Sequence, residues 1–366
     1  MILPKGFYAA GIRCGIKKKG KDLGLIVLKR PSVAAGVFTR NKNCSYSVEV
    51  SRRNIKNHIK AVLVNSGNAN CFSHESGLSD TKKLCAELAK LLEVKKESIL
   101  IASTGIIGKK LPFTKIISSF SKLIHSLTDR GDEFAKSILT TDTFPKMVSS
   151  KVKVGRKIVK VVGFAKGAGM INPSMATMLA FVLTDAHIKR PLLQQLLAEG
   201  VEGSFNSITV DGCMSTNDCV FFLASGYSAP IIKKKDILTF KEALNKVLVA
   251  LAKMIVKDAE GATKFITLKV EGASTEKEAC KVAFSIANSS LFKTAMYGAN
   301  PNWGRVVAAI GASGVKVTEK KLEVVSSSLR RKEVNINVNL GRGKYNKTVY
   351  TCDLTPRYVK INAGYS

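Results

Sequence analysis

The sequence has 366 residues, 45% apolar and 23% charged, with 58 Lys and Arg against 27 Asp and Glu for a formal net charge of +31. These are the proportions of a globular chain long enough for a large core and more than one domain, and no apolar run of about 18 residues is present to cross a membrane as a helix. The eight cysteines form no Cys-x-x-Cys pair and the four histidines fall at no zinc spacing, so free thiols in a reducing compartment are expected.

Residues 1–21 lack the ordered charged, apolar and small-residue regions of a signal peptide, which predicts a cytoplasmic protein. The charge would suit a nucleic-acid-binding protein. The lysines, however, are spread in short clusters such as Lys17-Lys18-Lys19 and Lys233-Lys234-Lys235. There is no basic tail and no aromatic-interleaved basic segment of the kind that stacks bases. A solvated Lys-rich surface accounts for this pattern, and no specific nucleic-acid partner is expected.

In chain order, residues 23–28 and 34–38 read as two strands separated by Lys29-Arg30-Pro31-Ser32, and 61–65 as a buried strand running into the polar loop Ser66–Asn70. Residues 79–92 form an amphipathic pattern with Leu84, Cys85, Leu88, Leu91 and Leu92 on one face and Ser79 or Asp80 as cap. Residues 98–108 read as a strand ending in Thr104-Gly105. A glycine there lets another group approach the backbone, so its N–H can meet an oxyanion and a neighbouring hydroxyl can add a second donor; an ordinary turn fits the same residues. Residues 113–126 look helical, ILTTDTFP (138–145) ends in a turn, and 151–165 form a hairpin through Gly155-Arg156.

The stretch Lys166–Leu183, KGAGMINPSMATMLAFVL, joins a glycine-rich turn to a segment broken by Pro173 and then to an apolar run from Met178. Thr177 stands where loop meets strand. As a strand residue it merely fits a pleat. Were the chain cut between Ala176 and Thr177, the new α-amino group, with an unperturbed pKa of about 7.7–8.0, would lie within reach of the Thr177 hydroxyl and could activate it as a nucleophile. Farther on, Pro191 opens a helix, 207–212 reads as strand and turn, 239–256 as a long helix, and 265–270, 334–340 and 348–352 as strands. Trp303 reads as a core anchor and the C-terminal residues as a frayed end.

KGxGMIxPxMATML across Lys166–Leu179 resembles the cleavage and nucleophile motif of the ornithine acetyltransferase (glutamate N-acetyltransferase) family. The likeness extends from Gly6 to the last residue. It takes in Thr104-Gly105, the TTDT segment, Asp211-Gly212-Cys213-Met214 followed by Ser215–Asp218, Asn300-Pro301-Asn302-Trp303-Gly304-Arg305, and Ile361-Asn362 through Ser366. The family usually has DGDTSTND where this chain has Cys213-Met214, and DPNWGR where it has Asn300; the chain also stops just short of the family's terminal pattern.

The resemblance implies an N-terminal-nucleophile-like layered α/β sandwich, helices covering two sheets, with a smaller C-terminal α/β domain; the division falls at 1–264 and 265–366. It implies self-cleavage before Thr177 into an α chain, 1–176, and a β chain, assembled as a heterotetramer of two of each. Thr177 would be the nucleophile and Thr104 with Gly105 the oxyanion hole. Thr141, Lys166, Thr177, Glu260, Asn362 and Ser366 would contact substrate, although Lys166 alone reads as an exposed lysine and Glu260 alone as a surface cap region. The implied reaction moves acetyl from N2-acetylornithine to glutamate by a ping-pong route without cofactor or metal. Bifunctional members of the family also take acetyl-CoA as a substrate. A self-processing aminopeptidase-like hydrolase would share the nucleophile logic, with water as acceptor.

Overall fold

A computed structural model describes every residue except 74–75, 173–177, 232 and 365–366. It divides into two compact units, one of Met1–Gly167, Ser174–Asn206 and Met214–Ala252, the other of Ala168–Pro173, Ser207–Cys213 and Lys253–Ser366.

The larger unit runs β1 (Phe7–Ile12), β2 (Leu23–Phe38), α1 (Tyr46–Asn54), β3 (Ile59–Asn68), α2 (Gly77–Leu91), β4 (Ile99–Ile106), α3 (Phe113–Ser118), α4 (Phe120–His125), α5 (Asp132–Ser137), β5 (Lys146–Val154), β6 (Lys157–Lys166), β7 (Leu179–Thr184), α6 (Arg190–Glu202), β8 (Cys219–Ala224) and α7 (Lys234–Lys257). Its strands order as β4-β3-β2-β8-β7-β6-β5, with β1 also on β2. The two strands expected at 23–28 and 34–38 are one 16-residue strand. Leu23–Val27 pairs with β3, the register shifts before Ser32, and Val33–Phe38 pairs with β8. Pro31 is accommodated because it falls in that shift, where no ladder hydrogen bond is asked of it.

Alternation then layers the unit. On β7, Leu179, Phe181 and Leu183 join Phe221 and Leu223 of β8 in one buried cluster with Ile26, Val62, Val64 and Leu100 from the other half of the sheet. Phe134 of α5 closes this cluster, edge-on to Phe164 at 5.5 Å and Phe181 at 5.2 Å between ring centroids. The outer face of β1–β4 packs on Val50, Leu84, Leu88, Ile116 and Phe120 of α1–α4. The outer face of the other half meets α7, where Phe222 stacks on Phe240 at 6.4 Å. Helices therefore cover two facing sheet layers, as expected.

Several local expectations shift. Helix α2 starts at Gly77 rather than 79, its N-cap Ser76 makes no side-chain cap bond, and Leu91, its last residue, is exposed although it shares the Leu84–Leu88 face. The helix expected over 113–126 breaks into α3 and α4 at Ser119. Ser207–Val210 forms no strand; Ile208 makes a single bridge to Tyr350.

The smaller unit adds β9 (Phe265–Ala273), α8 (Glu276–Asn288), α9 (Ser290–Tyr297), α10 (Gly304–Ala312), β10 (Glu323–Ser326), β11 (Glu333–Asn339), β12 (Tyr345–Cys352) and α11 (Pro356–Ala363). Its sheet orders as β10-β11-β9-β12, covered by α8, α9 and α10 through Val282, Ile286, Phe292 and Ile310. Trp303 packs against this core, and the expected frayed end is helical through Ala363. Among the described residues no helix is long and apolar enough to cross a membrane.

Phe181 is fully buried between two aromatic edges. Phe181→Ala should lower stability by about 3–5 kcal/mol, read as an earlier urea midpoint with an unchanged slope; a midpoint within error of wild type would show that the aromatic cluster is not the core it resembles.

Candidate active site

In the larger unit, β3 and β4 run parallel and finish together, with Ser66 opposite Thr104 and Gly67 opposite Gly105. Gly105 has φ +132°. A Cβ there would lie 2.3 Å from the Gly67 carbonyl carbon and 2.5 Å from the Asn68 nitrogen. Only glycine fits, because the β3 backbone fills the space a side chain would need next to the buried Thr104. The stem of Lys17 crosses over Gly67, where a Cβ would lie 2.6 Å from Lys17 Cγ. The Lys17 ammonium donates to the Leu139 carbonyl at 2.7 Å.

Leu139 leads into the TTDT loop between α5 and β5, and there Asp142 is the centre. Its carboxylate has no side-chain exposure. It accepts from Lys146 Nζ at 2.7 Å, from the Gly167 N–H at 2.7 Å and from the Thr140 N–H at 3.1 Å. Lys166 Nζ stands 3.8 Å away with its side chain 3% exposed. The exposed lysine that its sequence context alone suggested is thus buried, because Asp142 compensates its charge. Burial pushes the Asp142 carboxyl up, but Lys166, Lys146 and the Gly167 N–H together outweigh it and hold it well below the usual carboxylate range. The loop that carries Thr141 therefore places Asp142 among Lys146, Lys166 and Lys17. Thr140, Thr141 and Thr143 are loop residues rather than strand residues.

Residues 215–218 pin the start of β8. Thr39 donates its hydroxyl to the Ser215 carbonyl at 2.7 Å, and Asn217 Nδ2 donates to the carbonyls of Ala69 and Ser103. Asn217 so ties the β3 and β4 ends from a third direction. Asp218 Oδ1 accepts the N–H of Met178 at 2.8 Å. Its Oδ2 is buried with no hydrogen-bond partner among the described residues. Desolvation dominates here, and the Met178 N–H, Lys166 and the Ser215 hydroxyl offset it only in part, so the Asp218 carboxyl sits well above its ordinary value.

In the smaller unit, Glu260 follows α7 at a turn, donates its N–H to the Ala168 carbonyl at 2.9 Å, and its carboxylate occupies the space a side chain on Gly169 would fill. Asn362 on α11 donates to Glu260 Oε2 at 2.9 Å, so these two predicted residues meet. Asp211 accepts the N–H groups of Met170 at 2.6 Å and Ile171 at 3.0 Å, and the Tyr358 hydroxyl at 3.2 Å. Burial, then Asp211, push the Tyr358 phenol up. Ala176, Thr177 and Ser366 lie outside the described residues.

Asp142, Asp218, Asp211 and Tyr358 were not singled out from the sequence. Asp142 and Asp218 stand inside the TTDT and STND segments, where a lone acid among hydroxyl residues was the available signal.

The larger unit is thus a layered α/β sandwich with closely packed glycine backbone at the ends of β3 and β4 and a buried lysine–carboxylate cluster at the end of β6. A family model, the ArgJ family, matches residues 8–366. The chain is 40% identical over 387 aligned residues to the arginine biosynthesis bifunctional protein ArgJ of Oceanobacillus iheyensis, covering 99% of this chain and 95% of that protein. It is 40% identical to the glutamate N-acetyltransferase of Methanocaldococcus jannaschii, covering 99% and 97%. A solved structure of ornithine acetyltransferase complexed with ornithine from Mycobacterium tuberculosis is 31% identical, covering 47% of this chain and 93% of that one, with a TM-score of 0.42. The chain belongs to the ArgJ family.

The raised Asp218 carboxyl has a consequence for stability. Burying the neutral acid contributes fully below the unfolded value of about 3.9, and that contribution is lost as pH rises toward the folded value. Asp218→Asn keeps an acceptor for the Met178 N–H but cannot ionise. Its melting temperature relative to wild type should therefore climb as pH rises from about 5 to 9; a relative melting temperature that falls across that range would show an ionised, compensated Asp218.

Proposed function

We propose that this chain is an acetyltransferase of arginine biosynthesis that cuts itself between Ala176 and Thr177 and then moves acetyl from N2-acetylornithine to glutamate through an acetyl-Thr177 ester. The family match over residues 8–366 supports the reaction. The observation that supports the site is that the Thr104-Gly105 strand end and the buried Lys166–Asp142 pair belong to the same unit, whose β7 starts two residues after Thr177.

Thr177 Oγ attacks the amide carbonyl, and its proton passes to the α-amino group that cleavage creates. Charge then develops on the carbonyl oxygen, where the Thr104 hydroxyl and the Gly105 N–H donate. Collapse expels ornithine, whose nitrogen takes the proton, and leaves the ester. The glutamate amine attacks the ester through the same tetrahedral geometry, and Thr177 is regenerated. Lys166 meets a substrate carboxylate, Glu260 an ammonium, and Thr141, Asn362 and Ser366 complete the contacts. No cofactor is required by these steps; acetyl-CoA serves as a second acetyl donor in the bifunctional form. The cleaved chains assemble as two α and two β in the cytoplasm.

Active protein should resolve by intact mass into fragments of 176 and 190 residues, and Thr177→Ala should abolish both cleavage and transfer. A full-length chain that transfers acetyl would place the nucleophile elsewhere. Thr104→Ala should lower kcat by about 10²–10³ with a smaller change in KM, because the donor acts on charge present only in the transition state. Turnover within a few-fold of wild type in folded, cleaved Thr104→Ala would leave Gly105 as the sole donor.

A further inference from the structure

We propose that Asp211 is the positioning residue for Glu260: through Met170-Ile171 on one side and Tyr358 with Asn362 on the other, it sets the direction of the carboxylate that meets a substrate ammonium. The inference rests on the acetyl-transfer reading, in which Glu260 meets such an ammonium.

All of these residues belong to the smaller unit. Asp211 Oδ1 accepts the N–H groups of Ile171 at 3.0 Å and Cys213 at 3.1 Å, and Oδ2 accepts the Met170 N–H at 2.6 Å and the Tyr358 hydroxyl at 3.2 Å. Both oxygens are thus doubly engaged, which is the full capacity of a carboxylate, and none is left for a ligand. Met170 has φ +57°, a left-handed conformation that an L side chain adopts at a cost, and the Asp211 bonds on its own and the next N–H hold it there. Met170 follows Gly169, where a Cβ would run into both oxygens of Glu260. The Glu260 carboxylate therefore lies against a backbone that Asp211 fixes. From the other side, Tyr358 and Asn362 stand one turn apart on α11, and Asn362 Nδ2 donates to the Tyr358 carbonyl at 3.1 Å and to Glu260 Oε2 at 2.9 Å. The start of α11 rests on Gly261, where a Cβ would run into the Tyr358 backbone nitrogen, and the Thr355 hydroxyl donates to the Gly261 carbonyl at 2.7 Å. Residues 169–171, 211, 260 and 358–362 so close one ring. Glu260 Oε1 takes no hydrogen bond among the described residues. It is the acceptor in the ring that is left for an ammonium, and its aim depends on an acid that touches no substrate itself.

The test uses cleaved protein assayed for acetyl transfer from N2-acetylornithine, the substrate with an unacetylated ammonium, to glutamate. Asp211→Asn keeps the shape but turns an NH₂ toward groups that donate, so part of the ring must open. KM for N2-acetylornithine should rise roughly tenfold with kcat changed much less, the sign of lost substrate binding. Glu260→Gln should raise the same KM. Because Asp211 acts through Glu260, adding Asp211→Asn to Glu260→Gln should move that KM little further. A purely structural role predicts lost thermal stability with an unmoved KM, or KM rises that multiply in the double variant, and either result overturns the proposal. If Asp211→Asn yields no folded, cleaved protein, Tyr358→Phe carries the test. It removes one donor from Asp211 Oδ2 and keeps the ring of the side chain. Its KM should rise about threefold, and again not on top of Glu260→Gln; an unchanged KM or a multiplying rise overturns the proposal. Wild-type protein is run in parallel. No transfer by the wild type overturns the acetyl-transfer reading and this inference with it. Normal wild-type transfer, a raised KM in Glu260→Gln and an unmoved KM in Asp211→Asn overturn this inference alone.

Discussion

A carboxylate taken wholly out of water must either be met by cations or give up its charge. The larger unit contains both outcomes around one lysine. Asp142 is met by Lys146, Lys166 and two backbone N–H groups and stays ionised. Asp218 has the Met178 N–H, the Ser215 hydroxyl and a more weakly felt Lys166, and its carboxyl is pushed well above its ordinary value. The difference fixes the loop before β5, the end of β6 and the head of β7, because each supplies a partner that the buried acids cannot do without. Two acids of the same kind shifted in opposite directions is the pattern that active sites use to divide charge and proton roles.

That arrangement needs strand ends that do not move, and the sandwich supplies them. Strand β2 pairs with β3 over its first part and with β8 over its last, so one continuous backbone serves both facing layers. The aromatic contacts of Phe134, Phe164, Phe181 and Phe221 fill the space between the layers. The glycine pair at 67 and 105 is tolerable only on such a frame: each glycine weakens a strand by itself, yet here the absent side chain of Gly105 lets β4 close on β3, and that of Gly67 makes room for the Lys17 stem. The smaller unit uses the same device at Gly169, whose missing side chain is the space that the Glu260 carboxylate occupies before Asn362 reaches it.

Much of this was legible in the residues. The continuous apolar run from Met178 predicts the buried strand β7, the Gly155-Arg156 hairpin lies where the turn chemistry puts it, and Thr104-Gly105 falls at a strand end as read. Motifs also brought Lys166, Thr141, Glu260 and Asn362 forward. Each is a local pattern, and local patterns are what a sequence displays. The continuity of β2 through Pro31 was not legible, because whether a proline interrupts a strand depends on which neighbour asks for its N–H.

The sequence by itself determined which residue types were available: glycine where backbone had to approach backbone, hydroxyls and lysines near strand ends, and acids embedded in polar segments. Only the tertiary structure decided their charge and company. Lys166 read as an exposed lysine and is buried; Asp142, not singled out, is held well below the usual carboxylate range, and Asp218, not singled out either, is pushed well above it. The physical reason is that desolvation and Coulomb attraction depend on distances between residues far apart in the chain, such as Asp218 and Met178 or Asp142 and Lys166, and no periodicity or composition carries those distances.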